Sequence, residues 1–394
     1  MKNKVIYIAV LACSLAFVAC DKQDDTYRQY IVNGGYNYPA KAADVSASAG
    51  YLRVGVSWAT PLDPAVKTVK LYWDNYADST TVSYSDAVDG RVTAIVDGLE
   101  ERSYTFDVVN FDANGNRSLA SEITASPYGD GWLSTHAERR VISARMQGTD
   151  AVVALGPAID EMVYTKFRYK DADGKLVESD PVPVDSTEAY LSNALKGKYF
   201  EYKSAYCPEG GLDVTWNENW SKASTPILYR LDSTGWDITF TTNQRRGTDY
   251  GPENMFDGDL ETRYYSSTNT SIRRNFPKIV SISTGTEGNN RPTISSVGII
   301  QHQTESKSRY VKTFSFYVGD AAYDANDAQY AETFGTAALD ATVAQADPES
   351  AFDFDPVTGS NFAIVFTSSY SGYGYIDVLE FEIFGYIQAD ADSD

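Results

Sequence analysis

Oxygen donors and a tight bend meet in NMFDGDLET, residues 254–262. Asp257 and Asp259 stand two apart with Gly258 between them, which lets the chain turn sharply. Calcium takes about six to eight oxygens from carboxylates, carbonyls and hydroxyls, and such a loop suits it. A turn whose aspartates satisfy neighbouring groups, with no metal, is the alternative. A second set of residues suits a sugar, which needs an aromatic face for the apolar side of its ring and a few polar side chains for its hydroxyls. Tyr264 and Tyr265 follow the acidic loop, and Arg273 and Arg274 come soon after. His302 and Gln303 follow SSVGII, with Arg309 close behind. Tyr370, Tyr373 and Tyr375 crowd SSYSGYGYID, where Gly372 and Gly374 would expose the rings on a turn. Tyr373 is the best stacking platform of this set, with His302 and Arg309 as hydroxyl donors. Solvent-facing tyrosines are also ordinary on β surfaces.

Other chemistries find less support. Histidine occurs only at 136 and 302, which argues against zinc sites and against a histidine-based triad. No HExxH, GxSxG or Gly-rich phosphate loop is present, and SISTGTEGNN lacks the lysine and following helix of a nucleotide site. A glycosidase needs only two carboxylates at a set spacing, but no part of the chain has the size of a usual catalytic domain. The chain is therefore not expected to be an enzyme. Its net charge of −21, from 33 Lys and Arg against 54 Asp and Glu, argues against nucleic acid as a partner. After Cys20 only Cys207 remains, so no internal disulfide is expected. Cys207 is expected to be a buried or half-buried residue at a strand end.

These side chains must be positioned by strands. Tyrosine is frequent at 29 residues, and short alternating segments broken by Gly, Asp and Asn recur without a sustained helical period, an all-β pattern. Leu52, Val54, Val56 and Trp58 alternate, as do Val69, Leu71 and Trp73, then Val92, Ala94 and Val96, then Tyr104, Phe106 and Val108. One apolar face per strand is what two packed sheets require. Residues 42–127 resemble a fibronectin type III domain: Trp58 falls where that fold keeps its core tryptophan, and GLEERSYTFDVVNFDANGNRS matches its later strands. The resemblance implies a corner role for Tyr104. Residues 128–228 look like a second copy, with TKFRYK at 165–170 matching TVKLYW at 68–73 and YFEYKSAYCPEGG at 199–211 matching YTFDVVNFDANGN at 104–116. AVVALGP would be its strand equivalent to LRVGVSW, without the tryptophan. Trp216 and Trp220 are expected to pack at the junction to the next domain, an exposed binding patch being the alternative. Tandem copies of this kind resemble an uncharacterised Bacteroidetes domain family, which implies no activity.

Residues 229–388 change pattern. GPENMFDGDLETRYYSS near the start, KTFSFYVGDAAYD in the middle and DVLEFEIFGY at the end resemble the discoidin, or factor V/VIII type C, family, which includes galactose-binding modules of bacterial glycosidases. The resemblance implies an eight-stranded jelly-roll sandwich. It also implies a structural calcium ion held by the Asn254 carbonyl, Asp257, Asp259 and Thr262, closed by the Leu379 carbonyl and Glu380 from the last strand. Sugar binding in the family comes from variable loops at one end of the sandwich, which implies Tyr265, Arg273, His302, Arg309, Tyr370, Tyr373 and Tyr375 as ligand residues. Many relatives have a tryptophan where Tyr264 and Tyr265 stand.

Residues 1–20, MKNKVIYIAVLACSLAFVAC, read as a secretory signal: two lysines, an apolar run, and small residues before a cysteine. FVAC resembles a bacterial lipobox, which implies lipid modification of Cys20. Cleavage near Ala19 of an ordinary secreted protein is the alternative. The following DKQDD resembles the export signal of Bacteroidetes surface lipoproteins. Residues 21–41 then form a tether and 389–394 an acidic tail. The expectation is an outer-membrane lipoprotein at the cell surface, touching the membrane only through its lipid. It would bind glycan through the last module and assist a neighbouring outer-membrane transporter or glycosidase. An adhesion or protein-interaction protein without sugar specificity is the alternative.

Overall fold

The computed structural model describes residues 38–241, 249–266, 276–303, 307–370 and 374–392. The fold is nearly all β, as the alternation predicts, and no helix among these residues is long and apolar enough to cross a membrane. The chain divides into two compact units, Met1–Thr135 with Cys207–Thr215, and His136–Tyr206 with Trp216–Asp394.

In the first unit, a three-stranded sheet (Ser46–Gly50, Arg53–Ala59, Arg91–Asp97) faces a four-stranded one ordered Asp78–Val82, Val66–Trp73, Tyr104–Asp112, Ser121–Ala125. The alternating residues of the sequence are its core apart from Leu52, which is half-buried in the turn before the strand: Val54, Val56, Trp58, Val69, Leu71, Phe106 and Val108 are sealed from solvent. Tyr104 is a corner residue, its hydroxyl accepting the Glu100 amide at 3.0 Å. The distant segment Cys207–Thr215 is tied in by Asp213. Its carboxylate accepts Arg53 Nε and the Tyr51 amide, both at 2.9 Å, while Leu212 N–H donates to Ala49 O at 2.8 Å. Cys207 is half-buried in this segment, beside Pro208 O.

The second unit begins with another sandwich. Val141–Gln147, Asp150–Leu155 and Glu188–Leu191 form one sheet, and Met162–Lys170 runs through the middle of the other between Leu176–Glu178 and Glu201–Tyr206. Phe167, Leu191, Phe200, Val153 and Ile227 fill the core in place of a tryptophan. Trp216 does not bury as a junction residue: it is 44% exposed, because it lies over the outward, polar face of this second sheet beside Lys203.

The C-terminal module follows in the same unit as two five-stranded sheets. One is ordered Tyr229–Arg230, Asp377–Ile387, Pro292–Gln301, Glu349–Thr358, with Tyr264–Tyr265 also on Asp377–Ile387. The other runs Asp237–Phe240, Lys278–Ser283, Asn361–Ser369, Val311–Gly319, Leu339–Thr342. Two of these ten strands have only two residues, which leaves the eight longer ones of a jelly-roll sandwich. Phe314, Phe316, Phe362, Phe366 and Phe381 fill its core in edge-on and tilted contacts. This arrangement brings the start of Asp377–Ile387 beside the end of Pro292–Gln301, at one rim.

Candidate functional site

At that rim the first residue of the last strand, Asp377, is fully buried. Backbone pairing explains why: Asp377 faces Tyr265 across the sheet, its amide donates to Arg309 O at 3.3 Å, and its carbonyl accepts the His302 amide at 3.2 Å. Two stretches distant in sequence, the Tyr264–Tyr265 strand and the connection that carries His302 and Arg309, are thereby fastened to one residue. The Asp377 carboxylate then meets three basic side chains. His302 Nδ1 is at 3.1 Å, Arg263 Nε at 3.6 Å and Arg309 Nη1 at 3.6 Å. Arg263 Nη1 also lies 2.6 Å from His302 Nε2. The same Nη1 is 2.8 Å from His302 Nδ1, so the guanidinium meets both ring nitrogens. Burial pushes the Asp377 carboxyl above its ordinary range, opposed by Arg263, His302 and Arg309.

Aromatic rings frame these charges. Arg309 lies 5.1 Å from the Tyr265 ring centre and 5.8 Å from that of Tyr375. Arg263 lies 5.4 Å from Tyr250. Tyr265 stands edge-on to both Tyr250 and Tyr375, with centroids 6.1 and 6.3 Å apart. While Asp377 is sealed, side-chain exposure is 22% for Arg263, 32% for His302 and 34% for Arg309. The site is thus a buried anion that orients an outward set of guanidinium and imidazole donors beside tyrosine rings. Such a set can hold hydroxyl or carboxyl oxygens in fixed directions.

The predicted residues divide. His302, Arg309, Tyr265 and Tyr375 come together here. Tyr265 is only 2% exposed, so it is the floor of the site and cannot serve as a stacking face. Tyr370 lies apart, its hydroxyl donating to Val343 O at 2.8 Å. Arg273 and Tyr373 lie outside the described residues, as does Cys20. Arg263, Asp377 and Tyr250 were not singled out by sequence reasoning. The signal that could have found Asp377 is an acid between Ile376 and Val378, both fully buried.

The acidic loop takes another form than the calcium cage that the family resemblance implies. Glu380 is nearly sealed, with 2% of its side chain exposed, and Arg230 Nη2 sits 2.7 Å from one of its oxygens. The Gly258 amide donates to the other at 2.8 Å. Gly258 adopts φ +80°, and a Cβ there would lie 2.9 Å from Arg230 Nη1, so the guanidinium rests against the bare glycine. Asp257 accepts the Thr262 hydroxyl at 2.7 Å and the Asp259 amide at 2.9 Å. The Asn254 side chain is turned to the carbonyls of Asp249 and Arg263. Among the described residues no group of three or more His, Cys, Asp or Glu is placed to hold a metal. In this arrangement Arg230 and the Gly258 amide take the Glu380 oxygens that the resemblance assigns to calcium, and the Asp257 carboxylate interacts with them as well. Burial still lifts the Glu380 carboxyl to about 7, against the pull of Arg230.

Fold and site together define a modular all-β chain whose last sandwich carries a cationic, tyrosine-framed rim. The family model DUF4998, a domain of unknown function, matches residues 20–214. No curated protein matches the chain. Among solved structures, it is similar to the C-terminal domain of a chitobiase from Bacteroides fragilis, at 15% identity and a TM-score of 0.32, over 40% of this chain and 98% of that one. It is similar to CpGH89CBM32-5 from Clostridium perfringens, solved in complex with GalNAc-β-1,3-galactose, at 12% identity and a TM-score of 0.31, over 39% of this chain and 98% of that one. A SusE-like protein is similar over 87% of this chain and 96% of its own, at 10% identity and a TM-score of 0.32.

Proposed function

We propose that this protein is a cell-surface lipoprotein, anchored through Cys20, whose C-terminal module binds carbohydrate without altering it. It would assist glycan capture by a neighbouring transporter or hydrolase. The observation that carries the binding role is the convergence of Arg263, His302 and Arg309 on buried Asp377, beside Tyr265 and Tyr375. Directional donors next to ring edges are what a pyranose with clustered hydroxyls needs. Single sugar sites of this kind bind in the micromolar to millimolar range, about −8 to −4 kcal/mol, and an array of anchored copies raises avidity.

The test is calorimetric titration of the full chain with galactose, N-acetylgalactosamine and their oligosaccharides, repeated with His302→Ala and Arg309→Ala. The expected result is saturable binding that each substitution weakens about tenfold or more, about 1.4 kcal/mol, with the melting temperature kept. Affinity unchanged in both variants, or binding to proteins and to no glycan on an array, overturns the assignment.

A further inference from the structure

The sandwich of residues 136–206 and 216–228 carries a basic face in a chain that is otherwise strongly acidic. On strand Met162–Lys170, Phe167 and Tyr169 point into the core, so Lys166, Arg168 and Lys170 share the outward face. Register places Lys203 opposite Lys166, and Glu201 opposite Arg168. Lys222 lies opposite Glu201 and Glu178 opposite Arg168. Five cations and two carboxylates thus occupy one sheet face, in a chain with 33 basic and 54 acidic residues. Arg168 and Glu201 neutralise each other, Nε to Oε2 at 2.8 Å. Among the described residues Lys166, Lys170, Lys203 and Lys222 form no ion pair.

Like charges directly opposite each other weaken a strand pair, yet the Lys166–Lys203 pair is built in and one member lies against two indole rings. The Lys203 ammonium lies 4.5 Å from the Trp220 ring centre and 5.1 Å from that of Trp216. Arg168 sits 4.7 Å from Trp220 as well. Trp216 is 44% exposed. With Tyr164, Lys166, Glu178 and Lys203 it lines a cleft of about 110 Å³.

We propose that this face is a second saccharide site and takes an acidic sugar. A carboxylate or sulfate ester bridges Lys166 and Lys203 and relieves their repulsion. The pyranose ring lies against the open part of Trp216, and Glu178 accepts a ring hydroxyl. Lys170 and Lys222 meet further charges of a polymer. An indole beside an ammonium selects a ring-bearing anion over free phosphate or a lipid headgroup. The argument is independent of the rim at Asp377, because it uses none of the same residues.

The experiment titrates the full chain at low salt with polygalacturonate, chondroitin sulfate and a neutral galactan. It compares the Lys166→Gln/Lys203→Gln double variant, Lys166→Arg/Lys203→Arg and Trp216→Ala, each checked by circular dichroism. The expected result is that at least one acidic polymer binds, that the glutamine pair weakens it about tenfold or more, and that the arginine pair keeps it. Trp216→Ala also weakens it, and added salt loosens it. If the glutamine pair fails to fold, Trp216→Ala carries the decision. Polymers that bind no better than the neutral galactan overturn the proposal, and so do glutamine and Trp216→Ala variants that bind like the parent. Anionic phospholipid vesicles or duplex DNA binding more tightly than the acidic polymers overturn it as well. Which polymer binds decides between uronate and sulfate.

Discussion

Two buried carboxylates open the last strand three residues apart, and each is matched to arginine in a different way. Asp377 shares its charge among Arg263, Arg309 and His302, which leaves donors facing outward. Glu380 is closed on Arg230 and the Gly258 amide. Its carboxyl is raised from an ordinary 4.5 to about 7, chiefly by burial, so between those values the folded chain binds more protons than the unfolded one. The stability contributed by the protonated form is complete below about 4.5 and is lost as pH rises through about 7. Denaturant titrations across that window are expected to show stability falling in the parent and a flatter profile in Glu380→Gln; identical slopes refute the assignment. Because Arg230 supplies the local cation, EDTA and millimolar calcium are expected to leave the melting temperature of the parent unchanged. A calcium-dependent rise would mean the guanidinium leaves and the oxygens regroup. His302 and Arg309 were legible in the sequence because rare or charged residues after a strand signal a polar loop. Arg263, Asp377 and Arg230 were not, since only the pairing of strands distant in sequence reveals which charges face which.

At the scale of strands, alternation gave the core of the first sandwich, from Val54, Val56 and Trp58 to Tyr104, Phe106 and Val108, because burying one face leaves a period of two in the sequence. What alternation cannot show is where register slips. The pairing of Pro292–Gln301 with Asp377–Ile387 shifts between Ile294 and Ser296, and Gly385 sits at that shift. A Cβ on Gly385 would lie 2.4 Å from Thr293 O, a contact with backbone that cannot move aside. Gly298 on the partner strand differs, since its nearest neighbour is the flexible end of Glu382 at 3.1 Å. Gly385→Ala is expected to cost about 1–3 kcal/mol of unfolding free energy in denaturant titrations, and Gly298→Ala less than about 1 kcal/mol. Equal costs would mean that the bulge relaxes freely. The exposed Trp216 has the same origin as these misses: a tryptophan in a short polar segment reads equally as core or surface until the sheet beneath it is known.

Over the whole chain, the stretch Cys207–Thr215 belongs to the first unit although it follows the second sandwich's strand Glu201–Tyr206. The family model ends at residue 214, so it includes nearly all of this stretch. The tie is electrostatic and local. Arg53 and the Tyr51 amide both donate to the Asp213 carboxylate, and Tyr128 exchanges hydrogen bonds with the Asp213 backbone. The hydrogen bond from Arg53 is the leading cause that holds the Asp213 carboxyl below its ordinary 3.8. A depressed carboxyl adds stability that is present above its unfolded value and is lost as pH falls through the folded one. Asp213→Asn is therefore expected to lower the melting temperature of the first unit at neutral pH and to remove part of its acid sensitivity below about 3.8. The backbone bonds to Tyr128 survive the substitution, so the segment should stay docked but open more often. Hydrogen exchange at the Leu212 amide, which donates to Ala49 O, reads this directly: faster exchange in the variant is expected, and unchanged protection would show that the side chain of Asp213 contributes nothing to holding the segment.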